Sequence, residues 1–532
     1  SNPSHNPQVP TDASLGYPML RGTGFASKFR EGVGGLERVI AVRIGRTVAF
    51  RSVIVARAEP SRKTAGAQLA FAADSPQFHT PVQPLEIRAG MVTIFPALAS
   101  KPSLATDLAN MSQIRRVAIL FAGGPAPAAN AVISSAAFGM LQAGVEVIGI
   151  KHGYSKLIDF DPAQGLQEGR DFLRFTMESL EFMRTEAGIR IGTARSNPGK
   201  PVTRPEDLRD PEKSAALGRV VAALRSLGVD ALISIGGDDT LKTANKIKMY
   251  QDILPESQGR IPVVHLPKTI DNDYSGIDFT FGYFSAAEVL AEEIRNLNRD
   301  AAAGQAYFLC EAMGRSAGWL AYGAAIAGDA CMVMSVEDLV GPFRSSETVT
   351  NADGTTKTRT VMNLEAVIGR MVDMMLARER IGRNYGVIVI AEGLAEYLPQ
   401  SFLDGLTRDD HGHLAISHAD VGKLLADELA KGYKKRTGKT RKINGLQMGY
   451  ESRCCVPTAF DVMLGSQIGI GGYRALIEEK LNGVMVSVGG QFEVSFVPFD
   501  TLIDPQTLVT RVRMIEPSSD FHRLARMLEQ SH

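Results

Sequence analysis

Residues 231–241 read ALISIGGDDTL, and residues 265–273 read HLPKTIDND. Ala231 to Ile235 is a compact apolar run that stops at Gly236-Gly237, the pattern of a buried strand entering a turn. Without a Cβ, the two glycines let the backbone come close to a ligand. Asp238 and Asp239 follow at the carboxyl end of that strand, where open α/β sheets bind ligands. A second apolar run, Ile261 to Leu266, ends in Pro267-Lys268-Thr269-Ile270-Asp271-Asn272-Asp273. Each strand tip thus carries paired acids, with a lysine between the pairs. Carboxylates that close are costly unless a metal, a proton or a cation intervenes. The expected occupants are Mg²⁺ and phosphate.

Outward from this stretch the chain alternates strand and helix. Val117 to Ala122 predicts a strand, Gly123 to Asn130 a loop opening a helix through Leu141, and Val145 to Ile150 the next strand. A glycine pair between strand and helix suits an anion held by backbone N–H groups, although such turns also serve packing alone. Asp171 to Glu186 reads as a helix, and a long polar, proline-bearing stretch then runs to Lys213. Leu217, Val220, Val221 and Leu224 lie at helical spacing. Further on, Phe284 to Asn298 predicts a helix, Tyr307 to Cys310 a strand, and 345–360 an exposed, Thr-rich loop. Leu364, Val367, Ile368, Met371 and Met375 form a helical stripe, and Val387 to Ala391 a buried strand. Val421 to Leu429 reads as a helix, Gly469 to Gly472 as a turn, and Val484 to Val497 as the closing strands. Alternation from about 115 to 500 implies doubly wound parallel sheets, too long a span for one sheet. The fold expected is α/β, with two Rossmann-like lobes and a cleft between them over 113–500. A C-terminal segment, 501–532, follows. Before the core come a polar tail over 1–36 and a small β-rich extension over 37–112.

Composition narrows the function classes. Lys plus Arg and Asp plus Glu number 58 each, so no global field favours nucleic acid or an anionic membrane. The basic run from Lys431 to Lys442 holds a single aromatic, Tyr433, and reads as a solvated face. No apolar run approaches the roughly 18 residues of a membrane span. The start at Ser1 shows no basic-then-apolar leader pattern, so a cytoplasmic location is expected. Cys310, Cys331, Cys454 and Cys455 fit no zinc spacing and read as reduced thiols.

One GGDD turn is common to many proteins, but GGPAPAAN at 123–130, GGDDT at 236–240, PKTIDND at 267–273, MGR at 313–315 and GYESR at 449–453 occur together, in this order. The conjunction resembles the phosphofructokinase family, and within it the pyrophosphate-dependent branch. The likeness covers about 113–500. It implies a phosphofructokinase fold and phosphoryl transfer from pyrophosphate to the 1-hydroxyl of fructose 6-phosphate, with Mg²⁺, in a homodimer or homotetramer. An ATP-dependent enzyme on the same scaffold and a catalytically silent regulatory subunit are the competing readings.

Carried over by that resemblance, Asp271 matches the catalytic base, with Asp273 and Thr269 in support. Asp238 matches the metal ligand. Gly124 matches the backbone N–H that faces the transferred group, and Arg195 a phosphate-contacting arginine. Asp239 and Lys268 match the positions that select the donor: the family's ATP users typically have glycine where Asp239 stands. Met313, Gly314, Arg315, Glu392, Tyr450 and Arg453, with Thr269 and Asp271, match the fructose 6-phosphate pocket. Departures are Ala128 where the family usually has glycine, and Ala306 and Asn444 where relatives have basic residues for a sugar phosphate shared across subunits. Arg441 and Lys442 lie close to Asn444 in sequence.

Overall fold

The expected alternation builds two sheets in a computed structural model that describes residues 114–350, 355–403 and 420–530. The tail and the β-rich extension expected over 1–36 and 37–112 lie outside the described residues. In chain order, β1 (Arg116–Ala122), α1 (Ala129–Gln142), β2 (Glu146–Ile150), β3 (Phe172–Arg174), α2 (Pro211–Ser226), β4 (Ala231–Gly236), α3 (Asp238–Asp252) and β5 (Val263–Pro267) form most of the first lobe. The second begins with α4 (Tyr283–Gly304), β6 (Tyr307–Ala312), α5 (Trp319–Gly328) and β7 (Met332–Met334). It continues with β8 (Arg344–Thr350), β9 (Thr356–Met362), α6 (Leu364–Arg380), β10 (Gly386–Ala391), α7 (Val421–Thr437) and β11 (Ile443–Met448). The chain then returns to the first sheet through α8 (Ala459–Tyr473), β12 (Val484–Gly489) and β13 (Glu493–Pro498), and ends its described part in α9 (Asp520–Leu528).

The larger sheet has the order β13-β12-β5-β4-β1-β2-β3. Its central strands are parallel, and β3 and β13 are antiparallel edges. The chain leaves β1 toward β2 and comes back to the other side of β1 at β4, so the order reverses between β1 and β4. Such a reversal opens a crevice at the strands' carboxyl ends. The loops after β1, β4 and β5 are GGPAPAAN, GGDDT and PKTIDND. The smaller sheet, β11-β6-β10-β7, is wholly parallel. MGR follows β6, Glu392 follows β10 and GYESR follows β11. Topology therefore brings every motif to a strand's carboxyl end.

Covered on both faces, β4 and β10 are buried along their whole length, which explains their unbroken apolar sequences. Each fully buried Ile or Val there stabilises the fold by roughly 1.5–3 kcal/mol relative to exposure. Helix α2 starts inside the polar stretch read as running to Lys213: Pro211 takes the first position, and the Asp210 carboxylate accepts from the N–H groups of Glu212 and Lys213. The basic run places Lys434, Lys435 and Arg436 in the last turn of α7, where cations oppose the helix dipole. The described cysteines are free. No described helix is long and apolar enough to cross a membrane.

Three local expectations are corrected. Residues 171–186 are not a helix: Phe172–Arg174 pairs antiparallel with β2, and single 3₁₀ turns follow at Glu178–Leu180 and Met183–Thr185. Thr176 and Ser179 exchange side-chain-to-backbone bonds there, which compete with helical ones. The stretch 345–360 holds most of a β-hairpin rather than a loop, its β-branched residues pairing across β8 and β9, with the Thr348 and Thr358 hydroxyls 3.1 Å apart. Gly469 to Gly472 is not a turn but lies inside α8. A Cβ on Gly469 would stand 2.5 Å from the Val132 carbonyl, so the glycine serves the close approach of α8 to α1.

Candidate active site

Gly124, Arg195, Asp238, Asp239, Lys268, Thr269, Asp271, Asp273, Arg315 and Arg453 line one open cleft of about 560 Å³. All were singled out from sequence. Gly123, Pro125, Gly237, Thr240 and Ile270 complete its wall.

The first loop leaves β1 with Gly123 at φ 89°, its N–H donating to the Ala194 carbonyl at 2.9 Å, and the Thr193 hydroxyl donating back to the Gly123 carbonyl at 2.7 Å. This ties the Arg195 segment to the loop. Ala128 adopts φ 63°, the left-handed backbone that glycine would take without strain. Lys268 follows β5 directly, with its ammonium buried over the Phe121 ring at 5.6 Å and donating to the Gly124 carbonyl at 2.6 Å. Burial pulls its pKa down to about 8, with Asp271 acting the other way.

Asp238 and Asp239 open α3, where carboxylates favour the helix dipole. Lys242, one turn on, lies 2.8 Å from Asp239 and 3.3 Å from Asp238. Burial disfavours the Asp239 charge, but the bond to Lys242 together with the charges of Lys242, Arg315 and Lys246 outweighs it and holds the carboxyl below its ordinary range. Arg315 Nη1 is 3.6 Å from Asp238, and its Nε is 4.0 Å from Asp271. Lys242 was not foreseen, although acid and lysine at i, i+3 and i, i+4 is the standard helical pairing and could have found it.

In PKTIDND, the Thr269 hydroxyl accepts from the Asp271 N–H at 3.0 Å and fixes the turn. Asn272 takes φ 54° and Arg315 takes φ 50°, so both walls of the cleft hold a non-glycine residue in left-handed backbone. The pKa of Asp273 is pushed up to about 7, by burial first and then by the charges of Asp271 and Asp238. That is an excess of carboxylate at one point.

Four expected pocket residues, Met313, Gly314, Glu392 and Tyr450, do not line the cleft. Met313 is buried, and its side chain presses against Gly449, where a Cβ would meet its sulfur at 2.6 Å. Glu392 accepts from the N–H groups of Gly314 and Arg315 at 3.2 and 3.1 Å, so it holds the loop that carries Arg315. Tyr450 is exposed, with the Arg453 guanidinium stacked on its ring at 4.9 Å. Arg441 bonds Glu379 at 2.6 Å and stacks on Tyr433 at 5.6 Å, which commits it away from the cleft.

Opposed cations and carboxylates meet at the carboxyl ends of the parallel strands of both sheets, on a doubly wound scaffold. Residues 116–476 match the family model described as phosphofructokinase. A pyrophosphate–fructose 6-phosphate 1-phosphotransferase of Naegleria fowleri is 32% identical, covering 81% of this chain and 91% of its own. An ATP-dependent 6-phosphofructokinase of Corynebacterium efficiens is 30% identical, covering 76% and 99%. The crystal structure of a pyrophosphate-dependent phosphofructokinase from Nitrosospira multiformis superposes with a TM-score of 0.54 at 16% identity, over 79% of this chain and 92% of that one. The chain belongs to the phosphofructokinase family.

Proposed function

We propose that the chain transfers a phosphoryl group from pyrophosphate to the 1-hydroxyl of fructose 6-phosphate, reversibly, giving fructose 1,6-bisphosphate and phosphate. Asp239 carries the choice of donor. Its side chain stands at the start of α3, beside Lys242, and lines the cleft with Lys268; the family's ATP users typically have glycine at this position. A carboxylate there fills space that a nucleotide's further phosphate would need. The name borne by the Naegleria fowleri relative supports the same reading.

In the forward reaction Asp271 accepts the proton of the 1-hydroxyl as that oxygen attacks phosphorus, and phosphate departs. General base catalysis of this kind is worth about 10²–10⁴-fold. Arg315 and Arg453 hold the sugar phosphate by guanidinium forks, and Glu392 fixes the Arg315 backbone. The Gly124 N–H, Arg195 and Lys268 neutralise charge on the transferred group. Asp273 tunes the field around Asp271.

The residues fit a divalent ion of the Mg²⁺ type. Among the described residues no cluster of His, Cys, Asp and Glu encloses a metal by itself. Asp238 offers one hard oxygen beside an excess of carboxylate, the donor set of an ion that fills its shell with water and substrate phosphate. When bound, such an ion screens phosphate charge.

The ATP-dependent reading is favoured by the Corynebacterium efficiens relative and by Lys242, which offsets the Asp239 charge. A silent subunit would have no use for Asp271, Asp238 and Arg315 converging. Assembly as a homodimer or homotetramer belongs to the same proposal, supported by the exposed apolar side chains of Val456 and Met463. The deciding experiment measures kcat/KM with fructose 6-phosphate and Mg²⁺, using pyrophosphate or ATP. Pyrophosphate is expected to lead by about a hundredfold. Efficient ATP turnover by the wild type would overturn the donor assignment.

A further inference from the structure

The segment from Thr510 to Ile515 lies beyond the residues matched by the family model, yet it touches both halves of the cleft. Thr510 Oγ1 donates to the Asp238 carboxylate at 3.4 Å. Val512 pairs antiparallel with Tyr274, one residue past PKTIDND, and Ser275 Oγ donates to the Arg511 carbonyl at 3.0 Å. Ile515 N–H donates to Glu337, which also accepts from the Gly318 N–H just before α5.

Arg513 is the centre of this strap. Its own N–H donates to the Asp273 carbonyl at 2.8 Å. Its guanidinium donates to three more carbonyls: Asn272 at 2.7 Å, Ile277 at 2.6 Å and Asp278 at 2.8 Å. Among the described residues no carboxylate lies within ion-pair distance of it, so the fork is given wholly to the backbone of the loop that follows Asp271. The other side of Arg513 faces the second lobe. Its guanidinium lies 4.8 Å over the Trp319 ring, and its carbonyl accepts from Trp319 Nε1 at 2.8 Å. Trp319 begins α5, four residues after Arg315.

A five-donor planar cation is suited to gathering several carbonyls at fixed angles, and lysine is not. The loop it gathers needs such restraint. Asn272 is held in left-handed backbone, a conformation that persists only where surrounding contacts enforce it. We propose that Arg513 is a positioning residue for phosphoryl transfer, fixing the loop of Asp271 and Asp273 in register with the helix start that follows Arg315. This rests on the reading of Asp271 as the base. Releasing the loop misplaces the base without removing any group that grips the sugar phosphate, and a misplacement of about 1 Å can cost on the order of 10²-fold in rate.

The test compares full-length wild type, Arg513→Met, Arg513→Lys and Asp271→Asn. The readouts are kcat, KM for fructose 6-phosphate with each donor, and amide hydrogen exchange across 270–281. For Arg513→Met, kcat should fall about 10²-fold with KM within about threefold of wild type. Arg513→Lys should recover part of that loss, and exchange should quicken locally in 272–278 for both variants. Should Arg513→Met fail to fold, the same split and local exchange in Arg513→Lys carry the decision. Rates within threefold of wild type, unchanged exchange in 272–278, or a KM rise that matches the kcat loss would overturn the proposal. If wild type itself transfers from neither donor, the catalytic reading fails. Faster local exchange in the Arg513 variants would then still support the anchoring of the loop, and unchanged exchange would overturn it.

Discussion

The Lys242 ammonium stands 2.8 Å from the Asp239 carboxylate, one turn along the same helix. The donor end of the cleft therefore presents a paired acid, not a bare negative charge. On the proposed pyrophosphate reading, discrimination against ATP comes mainly from the space that Asp239 fills, with charge as the lesser part. Asp239→Gly opens that space and frees Lys242, so ATP use should rise and the pyrophosphate-to-ATP ratio of kcat/KM fall about tenfold or more. Lys242→Met instead leaves Asp239 uncompensated, and pyrophosphate kcat/KM should drop about ten- to a hundredfold, the worth of one charge-assisted contact. An unchanged donor ratio in Asp239→Gly removes Asp239 from donor choice.

Asp271→Asn keeps the shape of the side chain and removes the proton acceptor. The Thr269 hydroxyl still accepts from the residue 271 N–H, so the turn is kept. Turnover should fall on the order of 10²–10⁴-fold with little change in KM. Steady-state kinetics within a factor of a few of wild type would assign the base elsewhere.

Arg453→Ala should act on binding instead. The guanidinium lines the cleft and is steadied by the Tyr450 ring. Losing a charge-assisted contact to phosphate costs roughly 1.5–3 kcal/mol, so KM for fructose 6-phosphate should rise about ten- to a hundredfold. The donor KM should move far less. Tyr450→Ala keeps the cation and removes only its support, so its effect should be the smaller of the two. Equal weakening of donor and sugar phosphate would put Arg453 at the wrong end of the cleft.

What sequence made legible follows from the range of the forces involved. GGDDT and PKTIDND stand out because buried parallel strands are continuous apolar runs, and their ends are marked by glycine and charge. Residues 171–186 misled because Phe172, Phe175, Leu180 and Met183 are buried at intervals close to a helical stripe, while the Thr176–Ser179 exchange breaks the helix locally. Gly469 misled for the opposite reason. Its local preference is for turns, and only the approach to Val132 explains it in α8. Arg513 had no local signal, because its partners are carbonyls some 235–241 residues away. Glu392 and Met313 were found by resemblance, but their work of holding the Arg315 loop and packing on Gly449 needed the fold.

Stability should carry a pH signature from Glu311, at the end of β6. Its carboxyl is buried between the Gly422 N–H at 2.9 Å and Gln447 Nε2 at 3.3 Å. Burial pushes its pKa up from 4.5 to about 7, and these two bonds only partly oppose that. The unfolded chain ionises near 4.5 and the folded chain near 7, so between those values the native state binds the extra proton. Its contribution is thus fully present below about pH 4.5, falls as pH rises through the window, and is gone above about pH 7. The difference is about 3 kcal/mol across that range, to order of magnitude. His265 runs the other way. Buried beside Tyr274, it is pulled down to about 3, so its contribution is present above about pH 6.5 and is lost as pH falls toward 3. Glu311→Gln keeps an acceptor for Gly422 and cannot ionise, and it leaves His265 in place. Relative to wild type, E311Q should therefore gain stability from pH 5 to pH 8 by about the same 3 kcal/mol. Denaturant midpoints of the two proteins measured across that range check it. Parallel curves would mean that Glu311 ionises in the fold as it does in the open chain.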